Sequence, residues 1–182
     1  ANVLIDDQAL RSYDERSDDD ITLTVSTSAR VDETGAYADE DLGTLALDFR
    51  LEQQPDGEWR ITEAPNGIVL ARDVFSAVFR AYSVVYFDPA WKYLVPDQRW
   101  FPARAWPARR TYLALATGEP SPWLAASVAS AFPVDLGTAS FTLESGVAII
   151  DFNDALLGLD PTAIARMRTQ LEASLASAGV TR

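Results

Sequence analysis

The run ITLTVSTSARV (residues 21–31) decides the first half of the fold. Ile21, Leu23, Val25, Ala29 and Val31 fall on one parity, and Thr22, Thr24, Ser26, Ser28 and Arg30 fall on the other. A period of two is the repeat of a half-buried strand, whose side chains point alternately to either face. TLALDFRLE (44–52) repeats the pattern, with Leu45, Leu47, Phe49 and Leu51 opposed to Asp48, Arg50 and Glu52. The polar stretch DETGAYADEDLG joins the two as a hairpin loop. Pro55-Asp56-Gly57 then supplies a tight turn, because proline presets φ and glycine tolerates the left-handed region. EWRIT follows as a third strand with Trp59 and Ile61 expected to face inward. These features predict an antiparallel meander with one wet face.

Beyond the turn signal in APNGIVL (64–70), the period changes. Val74, Phe75, Val78, Phe79, Tyr82 and Val85 recur at helical spacing, which predicts a helix over 71–83. VVYF, DPAW and KYLVP read as strand, turn and strand, and prolines 96, 102 and 107 break regular structure around RWFPARAWPARR. RTYLALATG fits a helix or a strand. Ser121 before Pro122 predicts an N-capped helix, PWLAASVASAF. ASFTLESG and VAIIDF predict two strands joined at Ser145-Gly146. Asp160-Pro161 opens a helix over 161–178, with Ile164, Met167, Leu171 and Leu175 along one face and Gly179 as its stop. The expected fold class is α+β, with an antiparallel meander at 1–66 followed by a small α/β domain at 67–182.

Charge follows the same division. The net charge is −12 over 182 residues, with 48% hydrophobic content typical of a globular chain. Residues 1–66 hold 17 acidic residues against 5 arginines, whereas 67–182 hold 10 of each sign. Nucleic-acid binding needs Lys and Arg to neutralise phosphates, so an acidic chain argues against that partner. There is no cysteine and no histidine. That removes thiol nucleophiles, disulfides, the commonest general base and the usual zinc ligands. The expectation is a non-enzyme without cofactor, metal site or catalytic residues. No apolar run approaches the ~20 residues that span a bilayer. The opening ANVLIDDQALRSYDERSDDD lacks the basic start and apolar stretch of a signal peptide.

Several clusters carry a functional and a plain reading. Asp18-Asp19-Asp20, with Asp14 and Glu15 upstream, lacks the glycine turn and alternating spacing of a calcium loop and reads as a solvated run, as do Asp39, Glu40 and Asp41. Asp88, Asp97, Asp151 and Asp154 are acids that a glycosidase would pair, but the first two sit at turn signals and Asp154 in a loop. The segment from Arg99 to Arg110 mixes arginines with aromatics. With Trp91 it supplies the candidate partner contacts Trp91, Arg99, Trp100, Arg104, Trp106 and Arg109. The same stretch also reads as a connection whose aromatics are buried and whose arginines pair with nearby acids.

Residues 57–99 resemble a known family. A Trp59-Arg60-Ile61 strand, then an aromatic helix, then Tyr86-Phe87-Asp88 and Leu94-Val95-Pro96-Asp97 with Arg99, form an ordered series similar to the LpqB lipoproteins of actinobacteria. Residues 110–152 and the helix at 161–178 resemble the GerMN domain of sporulation and germination proteins. The resemblance implies an N-terminal domain similar to the nuclear transport factor two fold, of which residues 1–66 are a remnant, followed by a GerMN domain. It implies a parent lipoprotein held on the outer face of the cell membrane by an N-terminal lipid anchor absent from this chain. It further implies association with the extracellular sensor of the MtrB histidine kinase of a two-component system, in cell-envelope signalling. A module for cell-wall glycan or lipid is the alternative from a different class.

Overall fold

In the computed structural model, which describes residues 3–6, 12–15, 17, 19–39, 43–117, 119–134 and 136–181, the chain forms two compact units. The first comprises residues 1–33 and 37–78, and the second comprises residues 34–36 and 79–182. The step in charge falls at residue 66, twelve residues before the seam at 78/79.

The first unit holds β1 (Val3–Asp6), β2 (Ser12–Glu15), β3 (Asp20–Val31), β4 (Tyr37–Ala38), β5 (Gly43–Gln53), β6 (Trp59–Glu63), β7 (Ile68–Ala71) and α1 (Arg72–Val78). The sheet order is β6-β5-β3-β1-β7, with β2 and β4 also paired to β3. The register sets Ile21 opposite Phe49, Leu23 opposite Leu47 and Val25 opposite Leu45, so the two alternating runs present one apolar face. On the other face Thr22 Oγ1 donates to Asp48 Oδ1 at 2.6 Å. The turn at 55–57 is as expected, with Gly57 at φ 85° and Asp56 accepting from the Glu58 N–H at 3.0 Å. β1 is antiparallel to β3 and parallel to β7. Phe75 of α1 is buried, and its ring lies 6.3 Å from Tyr37, which pairs with Val31. The short helix therefore covers the Val31 end of the apolar face. Trp59 and Ile61, expected inward, are 46% and 60% exposed. They share a face with Leu51, their strand partner's side, but β6 is the outermost strand and its part of that face meets solvent. The acids of the solvated-run reading that the structure describes are exposed at Asp14, Glu15, Asp19 and Asp39 and half-buried at Asp20; Asp18, Glu40 and Asp41 lie outside the described residues.

The second unit holds β8 (Phe79–Phe87), β9 (Leu94–Pro102), α2 (Pro107–Thr117), β10 (Thr138–Glu144), β11 (Val147–Phe152) and α3 (Pro161–Ala176), with short 3-10 turns at Ala125–Ser127 and Asp154–Gly158. Three expectations are corrected here. The helix predicted over 71–83 ends at Val78, and the rest of its apolar run is β8, in which the β-branched and aromatic residues Tyr82 to Phe87 pair with β9. Regular structure is not broken at Pro96, which sits within β9 opposite Val85; β8 is the one named strand paired with β9 among the described residues, and the bridge from Ala36 reaches it only at Arg99, so an imino nitrogen is tolerated at Pro96. The helix expected after Ser121 shrinks to one 3-10 turn, because the Ser121 hydroxyl donates to Asp97 instead of capping. The ambiguous RTYLALATG is helical within α2. The β10–β11 hairpin and α3 form where expected, α3 with Asp160 capping the N–H groups of Thr162 and Ala163 and Gly179 beyond its end at φ 80°.

The core of this unit gathers Val84, Tyr86, Tyr112, Leu115, Phe132 and Met167. The free edge of β8 is closed by two serine side chains and one backbone bridge instead of a further strand. The N–H groups of Ser83, Val85 and Phe87 point one way and donate to Ser177 Oγ (3.0 Å), Ser174 Oγ (2.9 Å) and Ala129 O (2.9 Å). Buried backbone donors require such partners. Gln170, fully buried on the same helix, accepts from the Ala131 N–H at 2.7 Å.

Candidate interaction surface

The sequence segment that mixes arginines with aromatics divides into a buried half and an exposed half. On β9 the odd-numbered residues Asp97, Arg99 and Phe101 point inward and are buried. Arg99 donates to Asp97 Oδ2 through Nε (3.2 Å) and Nη2 (2.8 Å), to the Glu119 carbonyl through Nη2 (2.7 Å), and to Thr34 Oγ1 through Nη1 (2.6 Å). Asp97 also accepts from the Ser121 N–H (2.8 Å) and hydroxyl (2.7 Å). Both charges are thus paired and hydrogen-bonded, the condition under which burial of ions is tolerated. Arg99, a candidate partner contact by sequence, is 1% exposed, with its guanidinium directed into this network. Beside it the Tyr86 hydroxyl is buried with no hydrogen-bond partner among the described residues, and burial pushes its pKa up to about 12.

Trp91 and Trp100 are both half-buried. Trp91 packs 5.2 Å from the Phe87 ring, and the Arg166 guanidinium lies 4.4 Å from its indole centroid. The Asp88 carboxylate holds this turn by accepting the N–H groups of Ala90, Lys92 and Tyr93, which lowers its pKa. Of the other acids weighed as a pair, Asp151 accepts from Ser140 across the hairpin. Among the described residues, no group of three or more acids is arranged to hold a metal ion, and no helix is long and apolar enough to cross a membrane.

The exposed half is built differently. After Pro102 a turn closes from Ala105 N–H to the Pro102 carbonyl, and Trp106 adopts φ 56° immediately before Pro107 opens α2. A left-handed residue that is not glycine costs about 1–2 kcal/mol. The Trp106 carbonyl accepts the Arg110 N–H at 3.0 Å, and its indole stands 75% exposed. Two grooves flank it. One, of about 470 Å³, is lined by Ala105, Trp106, Arg109, Arg110, Leu113 and Phe141. The other, of about 360 Å³, shares Trp106, Arg109 and Phe141 and adds Glu144. Phe141 stacks on the fully buried Tyr112 at 5.3 Å, which gives the grooves a firm apolar wall. A third groove, of about 640 Å³, lies between α3 and β11, with Ile150, Leu171, Leu175 and Val180 lining it. Its charged residues, Arg168 and Glu172, pair at 2.7 Å.

The structure thus brings Trp106 and Arg109 to one surface, leaves Arg104 exposed nearby in sequence, and sets Trp91, Arg99 and Trp100 elsewhere. Leu113 and Phe141 were missed by sequence reasoning. They come from α2 and β10, and only the folded packing of Tyr112 against Phe141 joins those elements.

Comparison with known proteins agrees with this two-unit organisation. Residues 1–76 match the profile of the lipoprotein LpqB N-terminal domain, and residues 84–182 match that of the sporulation and spore germination family. The chain is similar to lipoprotein LpqB of Rhodococcus jostii, 37% identical over 87 residues (47% of this chain, 14% of the relative). It is also similar to lipoprotein LpqB of Thermobifida fusca, 31% identical over 122 residues (64% and 19%), and of Streptomyces avermitilis, 32% identical over 126 (64% and 20%). It therefore spans about a fifth or less of these relatives' length. No solved structure matches it. With an LpqB N-terminal domain followed by a sporulation and spore germination domain, the chain belongs to the LpqB lipoprotein family.

Proposed function

We propose that this chain is a non-catalytic, extracytoplasmic adaptor module, carried by a parent protein anchored through an N-terminal lipid to the outer face of the cell membrane. Its task is to bind the extracellular sensor of an MtrB-type histidine kinase and so adjust envelope signalling. Its first domain, on this reading, is of the nuclear transport factor two kind. The observation that carries the proposal is the exposed Trp106 beside Arg109 over an apolar groove, in a member of a lipoprotein family. Trp and Arg are the residue types that most often dominate protein interfaces. A catalytic reading draws no support from Asp97, whose carboxylate is buried and saturated by Arg99 and Ser121. The glycan or lipid alternative is weakened at Trp91, where Arg166 occupies the indole face a sugar would stack on.

The test uses the full-length lipoprotein, immobilised by its anchor, against the purified ectodomain of the sensor kinase from the same cell. Saturable binding that the lipoprotein without residues 1–182 fails to give is the expected result. Absence of binding with the intact lipoprotein rejects the proposal.

A further inference from the structure

We infer that the groove under Trp106 is a docking site for an acidic segment of a partner protein, with an apolar side chain seated against Leu113 and Phe141 and flanking carboxylates on Arg109 and Arg110. This deepens the adaptor reading and rests on it for the identity of the partner. Of the two grooves beside Trp106, the one of about 470 Å³ is lined by two guanidiniums, an indole and apolar groups with no carboxylate, and Glu144 lines the other. Among the described residues neither Arg104 nor Arg109 has an ion-pair partner, and the only side-chain bond of Arg110 is from Nε to the Ala105 carbonyl at 3.1 Å. Residues 98–118 contain four arginines and no Asp or Glu, on a chain of net charge −12. Among the described residues, only Arg99 of the four is paired with an acid. The first turn of α2 carries no acid either, so its positive end and its arginines repel one another until an anion arrives.

Charge complementarity then selects the occupant. An acidic partner is repelled by the acidic first part of the chain, residues 1–66, and attracted at this groove. A cell-wall glycan fits less well, because the lining offers no side-chain acceptor for sugar hydroxyls. An anionic membrane is opposed by the net charge. The volume of about 470 Å³ lies in the range that holds one or two anchoring side chains.

The experiment titrates the ¹⁵N-labelled 182-residue chain with a synthetic ten-residue peptide carrying a central Leu-Phe pair flanked by Asp and Glu. Parallel titrations use the same peptide with Lys at every acidic position, soluble muropeptides, and vesicles rich in anionic phospholipid. The expected result is a shift of the Trp106 indole N–H with the acidic peptide alone, weakened by added salt. Trp106→Ala and Arg109→Glu should each weaken binding about tenfold or more, while Trp123→Ala, at another indole 75% exposed, leaves it unchanged. Trp106→Phe, which retains a ring, should recover part of the loss. Equal binding of the basic peptide, a preference for muropeptides or vesicles, or insensitivity to Trp106→Ala overturns the inference. So does self-association abolished by Arg109→Glu, which would make a second copy the occupant. Kinase capture that survives Trp106→Ala refutes this site and spares the adaptor reading; peptide binding without kinase capture does the reverse.

Discussion

Tyr86 holds its phenol in the core beside Asp97 and Arg99, with no partner for the hydroxyl among the described residues. Its pKa is raised from 10.0 to about 12, chiefly by burial; Arg99 opposes the shift and Asp97 adds to it. The fold therefore favours the neutral phenol. This contribution is complete below pH 10, the unfolded value, and is lost as pH rises toward about 12. Tyr86→Phe should leave stability at neutral pH unchanged or raise it by about 1 kcal/mol, since it removes an unsatisfied buried group. Denaturant titrations of both chains from pH 8 to pH 11 check this, with the wild type weakening more on the alkaline side. The sequence could not disclose such a residue. VVYF was legible as a strand, but the hydroxyl's isolation depends on neighbours from other elements. Nor could it separate Arg99 from Arg109. Two charged residues at inward positions of β9 hid the strand's alternation, because Asp97 and Arg99 satisfy each other across one face.

At the level of elements, the hairpin between β10 and β11 turns on Ser145 at φ 50° and Gly146 at φ 80°. Two-residue hairpins with both centres left-handed prefer Asn-Gly, because asparagine tolerates this region better than serine. Ser145→Asn should stabilise the second unit by about 0.5–1 kcal/mol by relieving that preference, read as an upward shift of its thermal transition. The turn was legible because serine-glycine between two apolar alternations is local information. The short α1 and the long β8 were not. Val74 to Val85 fits a helical period, yet Phe79 onward gains nine cross-strand pairs with β9, and pairing outweighs local spacing. The apolar face expected on α3 was partly right. Met167 and Leu175 are buried and Leu171 half-buried, but Ile164 is 39% exposed, and Gln170 and Ser174 are fully buried. These polar residues lie inward because they close the edge of β8 and hold the Ala131 N–H. A propensity scale has no means of anticipating that service.

Across the whole molecule, the α+β class and the meander were legible from periodicity, and charge marked an acidic first part. The interior composition of the second unit was not, because it draws Thr34, Gly35 and Ala36 from a hairpin loop numbered within the first. Ala36 bridges Arg99, the Gly35 carbonyl accepts the Trp100 N–H at 2.7 Å, and Thr34 accepts from Arg99. Gly35 has φ 85°, and a Cβ there would come within 2.5 Å of the Phe101 ring, so no larger residue fits. Thr34→Val should destabilise the second unit by about 1.5–3 kcal/mol, the range for a hydrogen bond to a charged group. Hydrogen exchange that slackens around Arg99 and Glu119, more than along β6, would verify it. For anyone dissecting this protein, the practical lesson is that a clone beginning at Phe79 discards three residues that β9 depends on, Thr34 for its guanidinium and Gly35 and Ala36 for its backbone. Grafting that tripeptide back through a designed linker would be the sounder route to a free-standing C-terminal half.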